Sequence, residues 1–240
     1  MHRFARHHHR PAGEAPTNET NGLSLAGGWR YDLHEWVIDT CLFLGRGRAL
    51  RQRTATLARL HPGDQVLDVG CGTGTLALHV QRHVGSTGRV VGIDPGPEQI
   101  ARARAKATRH HVPIEFQIGV IEQLAFPDQT FDVVLSTLMM HHVPASRKQQ
   151  GLAEIARVLK PGGRLVIADF KPPQERAGQT GRFHAGGSSL LALAGLVADA
   201  GFSQVVMEEM HASRFSAFPG AGFVRACKPA DARAITASEG

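Results

Sequence analysis

The segment Gln65–Gly74, with the sequence QVLDVGCGTG, joins a short apolar run to a turn that contains three glycines. The run 65–69 has the length and composition of a buried strand, and the stretch 75–84 that follows has helical character. Glycines between a strand and a helix let the backbone approach a ligand without obstruction by Cβ atoms. The segment therefore predicts a strand, a ligand-binding turn and a helix.

The chain on either side of this unit alternates short apolar runs with helical stretches, which is typical of βαβ units and a mainly parallel sheet. Strands are predicted at 65–69, 89–93, 114–118, 131–135, 163–168, 203–209 and 222–227. Helices are predicted at 75–84, 97–110, 146–159 and 188–200. The predicted fold class is α/β.

The length of 240 residues is compatible with one domain and two tails. Residues 1–28 lack apolar periodicity and are predicted to be a flexible tail, and 229–240 a second tail. The domain then spans 29–228, with a helical cap at 29–60. The Gly-rich segment 171–187 is either a lid over a site or a disordered insertion, and the sequence leaves both open.

The net charge of +6 is spread along the chain, and aromatic residues make up only 6%. A solvated basic surface is therefore favoured over a nucleic-acid site, which needs clustered charge and stacking aromatics. The longest apolar runs are too short to span a bilayer. The cysteines Cys41, Cys71 and Cys227 are odd in number and far apart, which indicates a reducing compartment, by default the cytoplasm. No metal site is predicted.

Asp94 ends the second predicted strand, about 20 residues after the glycine turn. A carboxylate at this position can accept hydrogen bonds from both hydroxyls of a ribose. The alternative is a cap for the helix that begins near Pro97. Because Asp94 occurs together with the glycine turn, ribose binding is favoured over helix capping. A dinucleotide fingerprint would require glycine at position 75, and Thr75 stands there, which disfavours a dehydrogenase.

Four segments together resemble the class I S-adenosylmethionine-dependent methyltransferases, and in particular the ubiquinone/menaquinone-biosynthesis group. They are VLDVGCGTG, VGIDP, LAFPDQTFDVVLSTLMMHHV and LKPGGRLVIADF, in this order, within about residues 60–170. The resemblance implies a Rossmann-like, doubly wound, mainly parallel seven-stranded sheet with an antiparallel last strand and helices on both faces. It also implies methyl transfer from S-adenosylmethionine to a small acceptor, by O- or C-methylation, with S-adenosylhomocysteine as the product.

Residue by residue, the resemblance assigns cofactor binding to a set of positions along the chain. These are Tyr31, Asp68, Gly70, Cys71, Gly72, Gly74, Asp94, Pro95, Val120, Ile121, Glu122 and Ser136. Asp68 and the glycines match the turn around the methionine moiety, and Tyr31 matches a residue that closes over the cofactor, with helix packing as its alternative. Ser136 matches a position lining the methionine end.

Val120 departs from the family pattern, which often has an aspartate there that receives the adenine amino group. Either the backbone around Val120 and Ile121 holds adenine together with water or Glu122, or cofactor affinity is weakened. Cys71 is interpreted as structural, because a thiol nucleophile would need a base and a carbonyl chemistry that no other residue indicates.

His141 and His142 follow the fourth predicted strand, at the edge where the pocket should open. A sulfonium methyl is already electrophilic, so the protein mainly aligns the acceptor, and a general base helps when the acceptor must lose a proton. His141 is the candidate base. The alternative is that the histidines line the connection without proton transfer. The adjacent stretch Leu138–Met140 favours a lipophilic acceptor, with core packing as the alternative.

Two further functions remain open at this stage. A scaffold of the same fold with impaired catalysis is supported by Val120. A methyltransferase acting on protein or nucleic acid is supported only by the basic charge, and Ser136–Met139 lacks the Asn/Asp-Pro-Pro-aromatic pattern of base-amine methylation. The sequence also leaves open whether the chain forms a homodimer.

Overall fold

The computed structural model describes residues 46–170, 190–210 and 220–230. The helices in these ranges are α1 Arg46–Leu57, α2 Thr75–Val84, α3 Pro97–Arg109, α4 Ala145–Val158 and α5 Leu190–Asp199. The strands are β1 Gln65–Val69, β2 Arg89–Asp94, β3 Glu115–Ile118, β4 Phe131–Thr137, β5 Leu159–Phe170, β6 Ser203–Met210 and β7 Ala221–Cys227. A short 3-10 turn, Met140–His142, follows β4.

The strands form one seven-stranded sheet in the order β3-β2-β1-β4-β5-β7-β6. The pairs among β1 to β5 are parallel, and β7 runs antiparallel to both of its neighbours, β5 and β6. The chain reverses its direction of winding between β1 and β4, and open α/β sheets bind ligands at such a switch point. The predicted mainly parallel sheet with an antiparallel last strand is confirmed.

Both faces of the sheet are apolar, so it needs helices on each side. Consecutive residues such as Val66 and Leu67 point to opposite faces, and both are fully buried. One face packs against α1, α2 and α3, and the other against α4 and α5. Full burial of each such side chain contributes about 1.5–3 kcal/mol, which places the main stabilisation in the central strands.

The predicted strand boundaries agree with the structure to within two residues except at the start of β5, which begins at Leu159 instead of 163. Pro161 has no N–H to continue helix α4, so the helix ends at Val158, one residue before its predicted end. The chain then enters β5 with irregular pairing to β4. Only α1 represents the predicted cap 29–60, and it packs on the sheet beside α2.

Several predicted features lie outside the described residues: the tail 1–28, the rest of the cap with Tyr31, the segment 171–187 and residues 231–240 of the second tail. Within the described ranges, none of the helices has the length and apolar character needed to cross a bilayer.

Candidate active site

The carboxyl ends of the parallel strands bring the predicted site residues to one edge of the sheet. Asp68 lies near the end of β1, Asp94 ends β2, and His141 follows β4. These positions come from separate segments of the sequence, and parallel pairing in register places them side by side.

The turn after β1 is fixed to the end of β2 by backbone hydrogen bonds. The N–H groups of Gly70 and Cys71 both donate to the Ile93 carbonyl, each at 2.9 Å. Gly70, Gly72 and Gly74 have φ angles of +73°, +53° and +75°, a left-handed conformation that favours glycine. The three glycines therefore let the chain turn sharply at the switch point.

The same three glycines differ in what surrounds them. A Cβ on Gly70 would lie 2.7 Å from Met139 Cβ, and one on Gly74 would lie 2.6 Å from Phe116 Cζ. A Cβ on Gly72 would meet no atom of the described residues within 4 Å. Gly70 and Gly74 are therefore required by packing, whereas the space beside Gly72 is open to a ligand.

Asp94 connects this turn to the turn that begins α3. One carboxylate oxygen accepts from Gly72 N–H at 3.0 Å, and the other accepts from Gly96 N–H at 2.8 Å. Gly96 is the N-cap of α3 and no side chain caps this helix, so Asp94 does not act as its cap. Burial raises the pKa of Asp94, and the two N–H donors oppose this rise. Each oxygen keeps a free lone pair for a further donor such as a hydroxyl.

Asp68 is a buried carboxyl group with an incomplete set of partners. Only 1% of the residue is exposed, and one carboxyl oxygen has no hydrogen-bond partner among the described residues. Burial and the nearby charge of Asp94 raise the pKa of Asp68 to about 7. The Ala77 N–H opposes this rise by donating a hydrogen bond to the carboxylate. A cationic ligand group at this edge would compensate the buried charge.

Two predicted cofactor residues direct their side chains into the core. The Cys71 thiol packs towards β2, with Sγ 2.9 Å from where a Cβ on Gly92 would stand. Burial raises the pKa of this thiol, which agrees with a structural role. Ile121 packs against Gly151 of α4 and is 5% exposed. Only the backbones of Cys71 and Ile121 can therefore border a ligand, because their side chains complete the hydrophobic core.

The remaining predicted residues line the edge to different extents. Val120 is half-buried and forms a β-bridge with Gln123, while a Glu122 carboxylate oxygen lies 3.5 Å from an Arg147 nitrogen. Pro95 is exposed directly after Asp94. Ser136 is fully buried, and its hydroxyl has no hydrogen-bond partner within the part of the chain that the structure describes.

His141 is held by Asp169, at the end of β5. His141 Nδ1 lies 2.6 Å from one Asp169 carboxylate oxygen, and the His141 backbone N–H donates to the other at 2.8 Å. Leu138 has a left-handed φ of +55°, which turns the chain after β4 so that the 3-10 turn faces β5. The chain thus places an imidazole–carboxylate pair at the same edge as Asp94.

Comparison with known proteins shows which proteins the chain resembles. Residues 66–163 match a family model described as "Methyltransferase domain". This part of the chain is therefore similar to methyltransferase domains. The chain is 38% identical over 144 residues to a demethylmenaquinone methyltransferase of Deinococcus radiodurans, a match that covers 60% of this chain and 57% of that protein. The resemblance to the ubiquinone/menaquinone-biosynthesis group is thereby confirmed.

A second relative and one solved structure extend the comparison. The ubiquinone/menaquinone biosynthesis C-methyltransferase UbiE of Geobacter sulfurreducens is 36% identical over 149 residues, covering 61% of this chain and 56% of that protein. The crystal structure of the [4+2]-cyclase SpnF superposes with a TM-score of 0.63 at 25% identity, covering 76% of this chain and 80% of that chain. The chain thus matches somewhat over half the length of these two curated relatives.

The match to a methyltransferase domain implies S-adenosylmethionine as the cofactor, and the residues present fit that molecule. The open space at Gly72, the available lone pairs of Asp94 and the unpartnered oxygen of Asp68 suit a cationic ligand that carries a ribose. Within the described ranges, no group of histidine, cysteine, aspartate and glutamate side chains could hold a metal ion.

Asp169 lies at this edge of the sheet and was not among the residues predicted from the sequence. It directly follows the predicted strand 163–168, so the signal available was an acidic residue at the carboxyl end of a strand. That signal was available for Asp94 as well. For Asp169 no glycine turn lies nearby, and its partner His141 is 28 residues away in the sequence.

Proposed function

We propose that this chain transfers a methyl group from S-adenosylmethionine to a small, lipophilic acceptor, by O- or C-methylation. The observation that carries the proposal is the linkage of the open Gly72 turn to Asp94, with the unpartnered carboxyl oxygen of Asp68 beside it. The family match of residues 66–163 supports it independently.

S-adenosylmethionine supplies a methyl group on a positively charged sulfur. In this proposal Asp94 accepts hydrogen bonds from both ribose hydroxyls of the cofactor, and Asp68 lies near the positively charged methionine moiety. The backbone at Val120 and Ile121, with Glu122, borders the adenine. Cys71 contributes only backbone, since its thiol is in the core.

The charges at this edge of the sheet favour a cationic cofactor. Asp68 and Asp94 lie at the carboxyl ends of β1 and β2 with no cationic side chain paired to them within the described ranges, although the chain as a whole carries a net charge of +6. Acidic groups in a cleft raise the local concentration of a cation and speed its association. The neutral-sulfur product would be held less strongly, which favours its release.

The acceptor is proposed to approach from the side of Met139. This side chain is half-buried, packs against Gly70 and stands directly before the His141 turn. Both curated relatives carry names that refer to menaquinone or its precursor, so lipophilic quinone-type phenols are the first acceptors to examine. An apolar contact at Met139 suits such rings.

The cofactor proposal is tested by calorimetric titration of S-adenosylmethionine and S-adenosylhomocysteine into the protein and into Asp94→Ala. Loss of two charge-assisted hydrogen bonds should cost about 2–3 kcal/mol, or roughly a 30- to 150-fold rise in Kd. The Asp128→Asn variant is the control, because this exposed carboxylate precedes β4 at the opposite edge of the sheet and should leave Kd unchanged. Equal affinity of Asp94→Ala and the unsubstituted protein would remove Asp94 from the site.

The second candidate is a protein of this fold that binds the cofactor without transferring its methyl group. Val120 and the similarity in fold to a cyclase favour it, since one fold hosts different reactions. Incubation with methyl-labelled S-adenosylmethionine and a series of quinols and phenols separates the two candidates. Label in the acceptor supports methyl transfer, whereas micromolar cofactor binding with no labelled product from any of them supports the second candidate.

A further inference from the structure

The pair His141–Asp169 is held by more hydrogen bonds than a histidine that only lines the loop after β4 would need. Asp169 accepts three hydrogen bonds: from the His141 ring, from the His141 backbone N–H and from the Phe170 backbone N–H, at 2.6, 2.8 and 2.8 Å. Asp169 is only 8% exposed. Three bonds to one buried carboxylate fix its orientation, and through it the orientation of the imidazole.

The carboxylate also determines which ring nitrogen of His141 carries the proton. An ionised carboxylate can only accept hydrogen bonds, so Nδ1 is the donor and, in the neutral ring, Nε2 bears the free lone pair. Nε2 makes no hydrogen bond within the described ranges, and 28% of the His141 side chain is exposed. The His141 side chain is therefore partly accessible at the edge where the cofactor is proposed to bind.

Lys148 of helix α4 brings a positive charge towards Asp169. It lies in the first turn of α4, is 1% exposed, and its positive charge interacts with Asp169. Burial lowers the pKa of this ammonium group, and Asp169 opposes the change. The titratable groups facing His141 are thus Asp169 from β5, with Lys148 behind it on α4, and His142 from the same turn, whose ring centroid is 3.9 Å away.

We infer that Asp169 is a positioning residue that holds His141 as a proton acceptor. The inference rests on the proposed methyl transfer. The role of His141 as a proton acceptor predicts that the methyl acceptor is a molecule whose reacting oxygen or carbon loses a proton on methylation. An acceptor that reacts through a lone pair without losing a proton would make no use of this arrangement.

The step balances with these residues. His141 Nε2 takes the proton from the acceptor, whose electron pair forms the new bond to the methyl carbon. The bond between that carbon and sulfur breaks, and its electron pair stays on the sulfur, which becomes neutral. The imidazolium then passes its proton to solvent, which its partial exposure permits.

The tautomer is tested first, in the ligand-free protein, by nitrogen NMR of the histidine rings. His141 should show a protonated Nδ1 and an unprotonated Nε2 in its neutral form. Asp169→Asn should shift the proton towards Nε2, because an amide can also donate to the ring. A neutral His141 that carries its proton on Nε2 in the unsubstituted protein would overturn the inference without any acceptor being known.

Kinetics with a methylated acceptor provide the second readout. His141→Gln should lower kcat by about 10²–10⁴-fold and remove the acid limb of the pH profile. Asp169→Asn should lower kcat by at least about 10-fold and leave KM for the cofactor within about twofold. His110→Gln is the control, because this exposed histidine lies at the C-terminal end of α3, and it should keep both constants near the unsubstituted values.

The outcomes separate the two proposals. An unsubstituted protein that does not bind S-adenosylmethionine contradicts the proposed function. A protein that binds and transfers methyl, but keeps its acid limb in His141→Gln, contradicts only the role of His141 and Asp169. Loss of cofactor affinity in Asp169→Asn would show that this residue binds or folds the site instead of positioning the base.

Discussion

At the scale of the residue, burial and charge are in direct conflict at Asp68. The carboxyl group is 1% exposed and close to Asp94, and its pKa is raised from 3.8 to about 7. The conflict is consistent with a ligand that brings positive charge, because functional sites are where such unfavourable burial is retained. Asp68 is thus a polar group whose position in the core makes sense once a cation lies beside it.

Asp68 should make the ligand-free protein less stable as the pH rises. A carboxyl group with a raised pKa in the folded state binds its proton there more tightly than in the unfolded chain. Its contribution to the free energy of unfolding is therefore present below about pH 4 and is lost as the pH rises to about 7, by up to about 4 kcal/mol. Urea unfolding at pH 5 and pH 8 measures the part of this loss that falls between them, up to about 3 kcal/mol.

The Asp68→Asn variant should show a much smaller decline between the two pH values. Asp132→Asn is the control, since the Lys160 ammonium and the Gln65 N–H lower the pKa of Asp132 and its titration falls outside this window. An equally steep decline in Asp68→Asn and in the unsubstituted protein would mean that Asp68 is ionised in the fold.

At the scale of the element, the turn between β1 and α2 separates packing from ligand approach. Gly70 and Gly74 are surrounded by Met139 and Phe116, whereas Gly72 faces open space, although all three share a left-handed backbone. One short turn therefore serves two purposes. Its outer glycines seat the helix on the sheet, and its middle glycine keeps a surface free.

Substitution of these glycines by alanine should distinguish the two purposes. Gly74→Ala should lower the free energy of unfolding by about 2–4 kcal/mol, because a left-handed strain adds to a clash with Phe116. Gly72→Ala should cost only about 1 kcal/mol of stability but weaken S-adenosylmethionine binding at least about tenfold. Thermal unfolding and calorimetry on each variant provide both values.

Gly162→Ala is the matched control for Gly72→Ala. Gly162 has a φ of +76° and nothing within 4 Å of its Cβ position, but it lies at the beginning of β5, at the opposite edge of the sheet. It should show similar strain with unchanged cofactor affinity. Equal binding loss in both variants would mean that Gly72 acts through stability alone.

At the scale of the whole molecule, stability is concentrated in the middle of the sheet. Residues of β1, β4 and β5 are buried on both faces, as Leu67, Val134 and Val166 show. The edge strands are less covered: β3 has four residues, with Ile118 61% exposed, and β6 exposes Val206 and Met207 at 39% and 44%. The edge that carries the candidate site is therefore built on the most deeply buried strands.

Hydrogen exchange should follow this distribution. Amides of β1 and β4 should exchange only through global unfolding, whereas those of β3 and β6 should exchange through local opening and at least about tenfold faster. Low urea should accelerate the first class and leave the second nearly unchanged, which provides an internal control. Protection of β6 equal to that of β4 would contradict the proposed distribution of stability.

The order of elements, the α/β class and the glycine turn followed from the sequence because their signals are local. Alternating apolar runs, the glycines at 70, 72 and 74 and the acid at the end of β2 each depend on neighbours in the chain. Asp94 could be placed near the turn because parallel strands end at a common edge. Four motifs in order were sufficient for the family, which the match of residues 66–163 supports.

Only the tertiary structure decided which side chains face the site and which face the core. Cys71 and Ile121 stand within predicted cofactor segments, yet their side chains complete the packing against Gly92 and Gly151. His141 and Asp169 are 28 residues apart, and their contact exists only because β4 and β5 pair in parallel. Side-chain direction and long-range pairing depend on how the layers pack together, and local sequence patterns carry no record of either.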